Sequence, residues 1–202
     1  GLTFKPDGSK MYIVGFVNDK VYQYTLGTAW NISTAGYYGK YFSVASQATS
    51  PLAVSFKPDG DYMYILNSGG GNAYQYNLST DWDVSSASYM SKTFSVYSQD
   101  SNPFSLVFKS DGKKMYASGT TNDAVHQYSL STAWDLATAS YDSDSFYVGG
   151  QEDAPYGLFI SNKMYMTGSY TDIVYQYSLD FGFDGFFTNF SLKEERVNIY
   201  AC

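Results

Sequence analysis

The chain has 202 residues with a formal net charge of -7, and its composition is 44% hydrophobic and 19% aromatic against only 15% charged. This is enough for one substantial domain, or one piece of a larger one. The acidic balance excludes a phosphate-binding surface, so no nucleic acid is expected as a partner; no apolar run nears the roughly 18 residues of a spanning helix, so no membrane insertion is expected; and the single cysteine, Cys202, leaves no intrachain disulfide.

In chain order, the first predicted strand is the short run Leu2–Phe4. It ends at Lys5-Pro6-Asp7-Gly8, where Pro6 presets φ, Asp7 closes an Asx-type turn and Gly8 accepts a left-handed backbone. A second strand, KMYIVGF, stops at Asn18-Asp19, a pair tolerant of the positive φ that tight hairpins need; Gly71-Asn72, Asn122-Asp123 and Thr171-Asp172 are its counterparts. The third strand, KVYQYTL, spans Lys20 to Leu26. A period of two puts Tyr22, Tyr24 and Leu26 on one face, expected to carry rings into the core, and Val21, Gln23 and Thr25 on the other, with the Gln23 amide bonding across neighbouring strands. After a loop containing Thr28-Ala29-Trp30, a fourth strand around Lys40-Tyr41-Phe42 closes the unit.

The unit then repeats. Met11-Tyr12, Met63-Tyr64 and Met115-Tyr116 follow at steps of 52 residues, and Trp30, Trp82 and Trp134 keep the same step, as do Gln47, Gln99 and Gln151 and the prolines Pro51, Pro103 and Pro155. The fourth copy is shorter, because the Pro-Asp-Gly turn has collapsed to Ile160-Ser161-Asn162-Lys163. Four short antiparallel strands per copy predict an all-β fold, a β-propeller of about 52-residue blades near residues 1–51, 52–103, 104–155 and 156–202. The last blade carries a divergent tail, residues 181–202. Tyr12, Tyr64, Tyr116 and Tyr165 are expected to line the core. A linear solenoid is the competing architecture, disfavoured by so long a period.

The stretch FKPDGSKMYIVGFVNDKVYQYTL resembles the repeat of the YVTN and lactonase-like β-propellers, and segments such as Ser131–Tyr141, STAWDLATASY, resemble long tandem repeats of phage tail and marine microbial surface proteins. The resemblance covers residues 1 to about 179 and implies the fold without fixing an activity. It also implies seven-bladed rings, so four copies leave two expectations open: blades preceding Gly1, or a smallest closed ring completed by the tail.

Few residues carry chemistry. His126, the single histidine, replaces a repeat tyrosine and reads as a packed or partly exposed ring; no metal site is expected, since ligands must converge. Among carboxylates that break the repeat, Glu152, Asp153, Glu194 and Glu195 read as solvated charges, and no catalytic set is assigned. Trp30, Trp82 and Trp134 are candidates for stacking on glycans, with loop packing as the plainer reading. Asn31, Asn77 and Asn189 match the N-glycosylation acceptor pattern. No cofactor is expected; calcium is the one ion considered, at the turn aspartates Asp7, Asp59 and Asp111, which more often only close such turns. The tail phenylalanines Phe181, Phe183, Phe186 and Phe187 are candidates for assembly, packing into their own blade or onto the next subunit.

The functional expectation is a non-enzymatic extracellular, cell-surface or virion-surface module. It would work in fibre or filament assembly or in adhesion, with copies of itself, other surface proteins or glycans as partners. The rival is a lactonase-like hydrolase on a propeller scaffold.

Overall fold

The computed structural model describes residues 1–171, 173–181, 187–191 and 197–198. The first blade holds β1 (Leu2–Phe4), β2 (Lys10–Gly15), β3 (Lys20–Leu26) and β4 (Ala35–Ser43), and the second β5 (Pro51–Phe56), β6 (Tyr62–Asn67), β7 (Asn72–Leu78) and β8 (Ala87–Ser95). The third holds β9 (Pro103–Phe108), β10 (Lys114–Gly119), β11 (Ala124–Leu130) and β12 (Ala139–Tyr147). In the fourth, β13 (Pro155–Ile160), β14 (Lys163–Gly168) and β15 (Ile173–Phe181) are followed by β16 (Phe187–Ser191) and β17 (Val197–Asn198), which both pair with β15. Each blade is an antiparallel meander in chain order, and the four make a β-propeller whose first strands face the axis: β1 packs on β5, β5 on β9 and β9 on β13.

The turns follow the residues that predict them. Gly8, Gly60 and Gly112 take φ of +72°, +90° and +69°, and Asp7 Oδ1 accepts from the Ser9 N–H at 2.9 Å. At the second hairpin, Asp19, Gly71 and Asp123 have positive φ. The Trp-containing loops hold only a three-residue 3-10 turn each, capped by Asn31, Asp83 or Asp135, whose side chain accepts from the N–H two residues on.

The core lies between blades. Tyr12, Tyr64 and Tyr116 are fully buried, each in the cluster that joins its blade to the next, while Tyr165, in the last blade, is half-buried. Tyr12 sits 4.5 Å from Phe56 and 6.2 Å from Trp82; Tyr64 repeats this with Phe108 at 4.3 Å and Trp134 at 6.5 Å.

One expectation is corrected here. Gln23 is not on a polar face: it is buried, with Val21, while Tyr22 and Tyr24 are half-buried. Alternation separates two faces without saying which is covered: the Val21 and Gln23 face packs on the second blade, while Tyr22 and Tyr24 pack on Tyr37 and Tyr41 of their own blade. The glutamine therefore bonds outward to the next blade. Gln23 Oε1 accepts from the Val84 N–H at 3.0 Å, and Gln75 Oε1 accepts from the Leu136 N–H at 2.9 Å while its Nε2 donates to the Trp134 carbonyl at 3.0 Å. That is why the residue recurs in each copy.

Candidate functional site

The inward strands line a cavity of about 260 Å³, bounded by Gly1–Thr3, Leu52–Ser55, Phe104–Val107 and Tyr156–Phe159. It shares Leu52 and Phe104 with a wider mouth of about 500 Å³, where Phe16, Ser50, Ser68, Ser101 and Asn102 meet the Gly69-Gly70 turn. These positions come together because the connections entering β5 and β9 reach the axis beside the turn between β6 and β7.

The rim is wired by neutral hydrogen bonds. Ser68 Oγ donates to Asn102 Oδ1 at 2.8 Å, Asn102 Nδ2 donates to Thr120 Oγ1 at 2.7 Å, and Ser101 and Thr121 share a hydroxyl contact at 2.9 Å. None of the residues bounding the cavity or its mouth has a charged side chain. Aromatic faces beside hydroxyl and amide groups suit an uncharged ligand rich in hydroxyls.

The acidic side chains stand behind the rim. Asp100 is buried and accepts from the N–H groups of Asn102 at 2.8 Å and Thr121 at 3.3 Å. Glu152 corrects its sequence reading: it is buried, not solvated, and accepts from the N–H groups of Ala154, Tyr170 and Thr171 and from the Thr171 hydroxyl. Each carboxylate clamps the hairpin turn of the blade it enters, a role visible in the sequence only as the shared step between Asp100 and Glu152. Asp153 is exposed. Partial burial, followed by the charges of Asp153, Asp100 and Glu152, pushes the Asp123 carboxyl above its ordinary range.

The three tryptophans are not equivalent. Trp82 is 7% exposed, packed against Phe56 and Tyr12, so its face is closed to a sugar; Trp134 is half-buried in the same position one junction later; Trp30 is 59% exposed. All three lie away from the residues that bound the mouth. Asn31 is exposed but already accepts from Ser33, and Asn77 lies half-buried inside β7, paired with Tyr62 and Ser88. Asn189 pairs with Asp180 in β16. Of the tail phenylalanines, Phe181 and Phe187 pair with each other by backbone, so β16 is a strand of the fourth blade; Phe183, Phe186, Glu194 and Glu195 lie outside the described residues. Asp7, Asp59 and Asp111 form ion pairs with Lys5, Lys57 and Lys109 at 2.7, 2.7 and 3.2 Å.

His126 is buried, with neither ring nitrogen hydrogen-bonded and the ring edge-on to Tyr141 at 6.0 Å. Among the described residues no three His, Cys, Asp or Glu side chains form a metal-holding group. Burial lowers the His126 pKa, with the Asp100 charge opposing in part. The unfolded chain therefore binds more protons than the folded one as pH falls below about 6.5, and the histidine's contribution, present above that value, is lost toward the lower folded pKa. His126→Tyr, restoring the repeat residue, should raise stability by about 1 kcal/mol and flatten this slope. Denaturant midpoints at several pH values between 5 and 8 check it; an unchanged slope would mean that His126 titrates alike in both states.

The sequence matches no protein-family model and no curated protein. Solved structures do resemble the fold. A proposed 6-phosphogluconolactonase of Bacteroides fragilis is 14% identical with a TM-score of 0.65, covering 98% of this chain and 54% of its own. The periplasmic gluconolactonase PpgL of Pseudomonas aeruginosa is 12% identical with a TM-score of 0.61, over 98% and 53%. Hydrazine synthase of Kuenenia stuttgartiensis is 18% identical with a TM-score of 0.56, over 96% and 49%. The chain spans about half the length of these neighbours. At such identities the likeness is one of fold, which the lactonase-like propellers share. No helix among the described residues is long and apolar enough to cross a membrane.

Proposed function

We propose that the axial mouth is a ligand site for an uncharged, hydroxyl-rich ring of the sugar-lactone class, and that the chain serves a lactonase-like propeller hydrolase. The observation that carries this is the mouth itself: Phe16 and Phe104 beside Ser50, Ser68, Ser101 and Asn102, with no charged side chain among the lining residues. The fold likeness to two sugar-lactone hydrolases supports the class. A phosphorylated lactone is disfavoured, because a phosphate is recognised by Arg, Lys or a helix N-terminus and the lining offers none of these. In the reaction, water adds to the lactone carbonyl, the ring C–O bond breaks, and the ring oxygen leaves as a hydroxyl with the proton. The rim would hold and orient the ring, with Asp100 keeping Asn102 in place.

The test is hydrolysis of glucono-lactone, its 6-phosphate and simple esters over the buffer rate, with and without divalent metal. Turnover of the neutral lactone, reduced about tenfold or more by Asn102→Ala, is expected. Preference for the phosphorylated substrate would overturn the neutral-ligand assignment; no turnover of any lactone with or without metal would overturn the hydrolase. A second reading, a non-enzymatic surface module for adhesion or assembly, is favoured by one observation: the first blade leaves Leu2, Trp30 and Ile32 exposed on a single face.

A further inference from the structure

Three junctions join the four blades, and the first two show the interface chemistry in full. At the first, the Tyr12 hydroxyl and Lys10 Nζ both donate to the Trp82 carbonyl at 2.9 Å, Gln23 takes the Val84 N–H, and Tyr12 packs on Phe56 and Trp82. At the second, the Tyr64 hydroxyl and Gln75 amide donate to the Trp134 carbonyl and Gln75 takes the Leu136 N–H. The incoming blade thus offers a Phe–Trp pair, a Trp carbonyl and the N–H two residues later; the receiving blade offers a Lys or Tyr, a Tyr and a Gln.

Both halves of this interface recur on the first and fourth blades. The first blade carries the incoming half with no described blade against it: Phe4 and Trp30 pair at 5.5 Å, and Leu2, Trp30 and Ile32 are 58%, 59% and 68% exposed. Their counterparts at inner junctions, Val54, Trp82 and Val84, are 6%, 7% and 0% exposed. The fourth blade carries the receiving half, with Lys163, Tyr165 and Gln176 in the register of Lys10, Tyr12 and Gln23. Tyr165 is only half-buried, Gln176 Nε2 is buried without a hydrogen-bond partner, and Phe159 is 61% exposed. In the second blade the residue matching Phe159, Ser55, touches the Leu106 backbone of the next blade, so Phe159 would meet Leu2.

We infer that the first blade of one copy docks on the fourth blade of a second copy, head to tail, reproducing the inner junctions. Tyr165 and Lys163 would donate to the Trp30 carbonyl, Gln176 would take the Ile32 N–H, and Tyr165 would complete the Phe4–Trp30 pair. The cap at this face is Asn31, not the aspartate that pairs with Lys40 or Lys92 at the inner junctions, so no lysine is demanded of the outer strand. Such a contact is heterologous: it closes if the rotation returns to the start and otherwise propagates. It does not use the residues of the proposed lactone mouth, although Leu2 and Phe159 also bound the inner cavity beneath it.

The test is sedimentation velocity of the full chain, produced without glycosylation and kept reduced, over a wide concentration range. Two variants change exposed residues and should fold as the parent does: Ile32→Glu on the first blade and Phe159→Glu on the fourth. The parent should associate, to a dimer or a longer series, and each variant alone should associate at least about tenfold more weakly. Mixing the two variants should restore a one-to-one complex that grows no further, because each retains one intact edge. A parent that stays monomeric, a variant that associates like the parent, or a mixture that does not recover would each overturn the inference. The readout is association alone, so a lactonase result of either sign on the parent chain leaves it unaffected.

Discussion

Gly60→Ala should lower the unfolding free energy by about 2–5 kcal/mol, the sum of a left-handed backbone cost and overpacking. Gly60 sits at φ +90°, and a Cβ there would lie 2.5 Å from Trp82 Cε2. The ring cannot retreat. Its backbone N–H donates to the Gly60 carbonyl at 3.1 Å, its own φ is +60°, and the indole is 7% exposed, packed against Phe56 of its own blade and Tyr12 of the first. The strain therefore reaches the junction between blades. Gly39→Ala separates the two contributions: Gly39 has φ +77° but open space around its α-carbon, and Ser91 and Ser143 hold the matching positions at φ 57° and 63°. That change should cost only about 1 kcal/mol. Equal losses at Gly60 and Gly39, measured by denaturant unfolding, would show that the Trp82 contact contributes nothing.

The glycine illustrates what could be read in advance. The Pro-Asp-Gly turn and its left-handed glycine were legible from local chemistry, as were the strand order and the positive φ at Asp19, Gly71 and Asp123, because short-range turn rules fix them. The glycine's second task was not, since it depends on a tryptophan in a loop two strands later. A signal was nonetheless present: Gly8 and Trp30, Gly60 and Trp82, and Gly112 and Trp134 keep one spacing, and the fourth copy, which loses the glycine turn, also has no tryptophan. Paired retention and paired loss are what a contact leaves behind within a single repeating chain. The axial mouth left no such trace. Its lining residues, such as Ser50, Ser68 and Asn102, are ordinary turn residues whose convergence is made by the ring, not by spacing along the chain. Buried Asp100 and Glu152 were hidden for a related reason, because a carboxylate in a loop looks solvated until the N–H groups around it are located.

The recurring glutamine supplies the second large effect. Gln75→Leu should cost about 2–4 kcal/mol, because the Leu136 N–H would be left buried without an acceptor and an unmade hydrogen bond in such a place costs about 1–3 kcal/mol before packing changes are added. The Trp134 carbonyl would not be orphaned at the same time, since the Tyr64 hydroxyl still donates to it at 2.7 Å. Tyr64→Phe alone should for the same reason be mild, about 1 kcal/mol, with Gln75 as the remaining donor. The double variant removes both donors, so its cost should exceed the sum of the single costs by about 0.5–3 kcal/mol, the range seen for groups sharing a partner. Gln23→Leu should cost less than Gln75→Leu, because Gln23 contributes one bond across its junction, while Tyr12 and Lys10 already serve the Trp82 carbonyl. A double-mutant cycle by urea unfolding measures all of this. Strict additivity at Tyr64 and Gln75, or equal losses at Gln23 and Gln75, would mean that the blades are held by their aromatic packing alone and that the glutamine recurs for another reason.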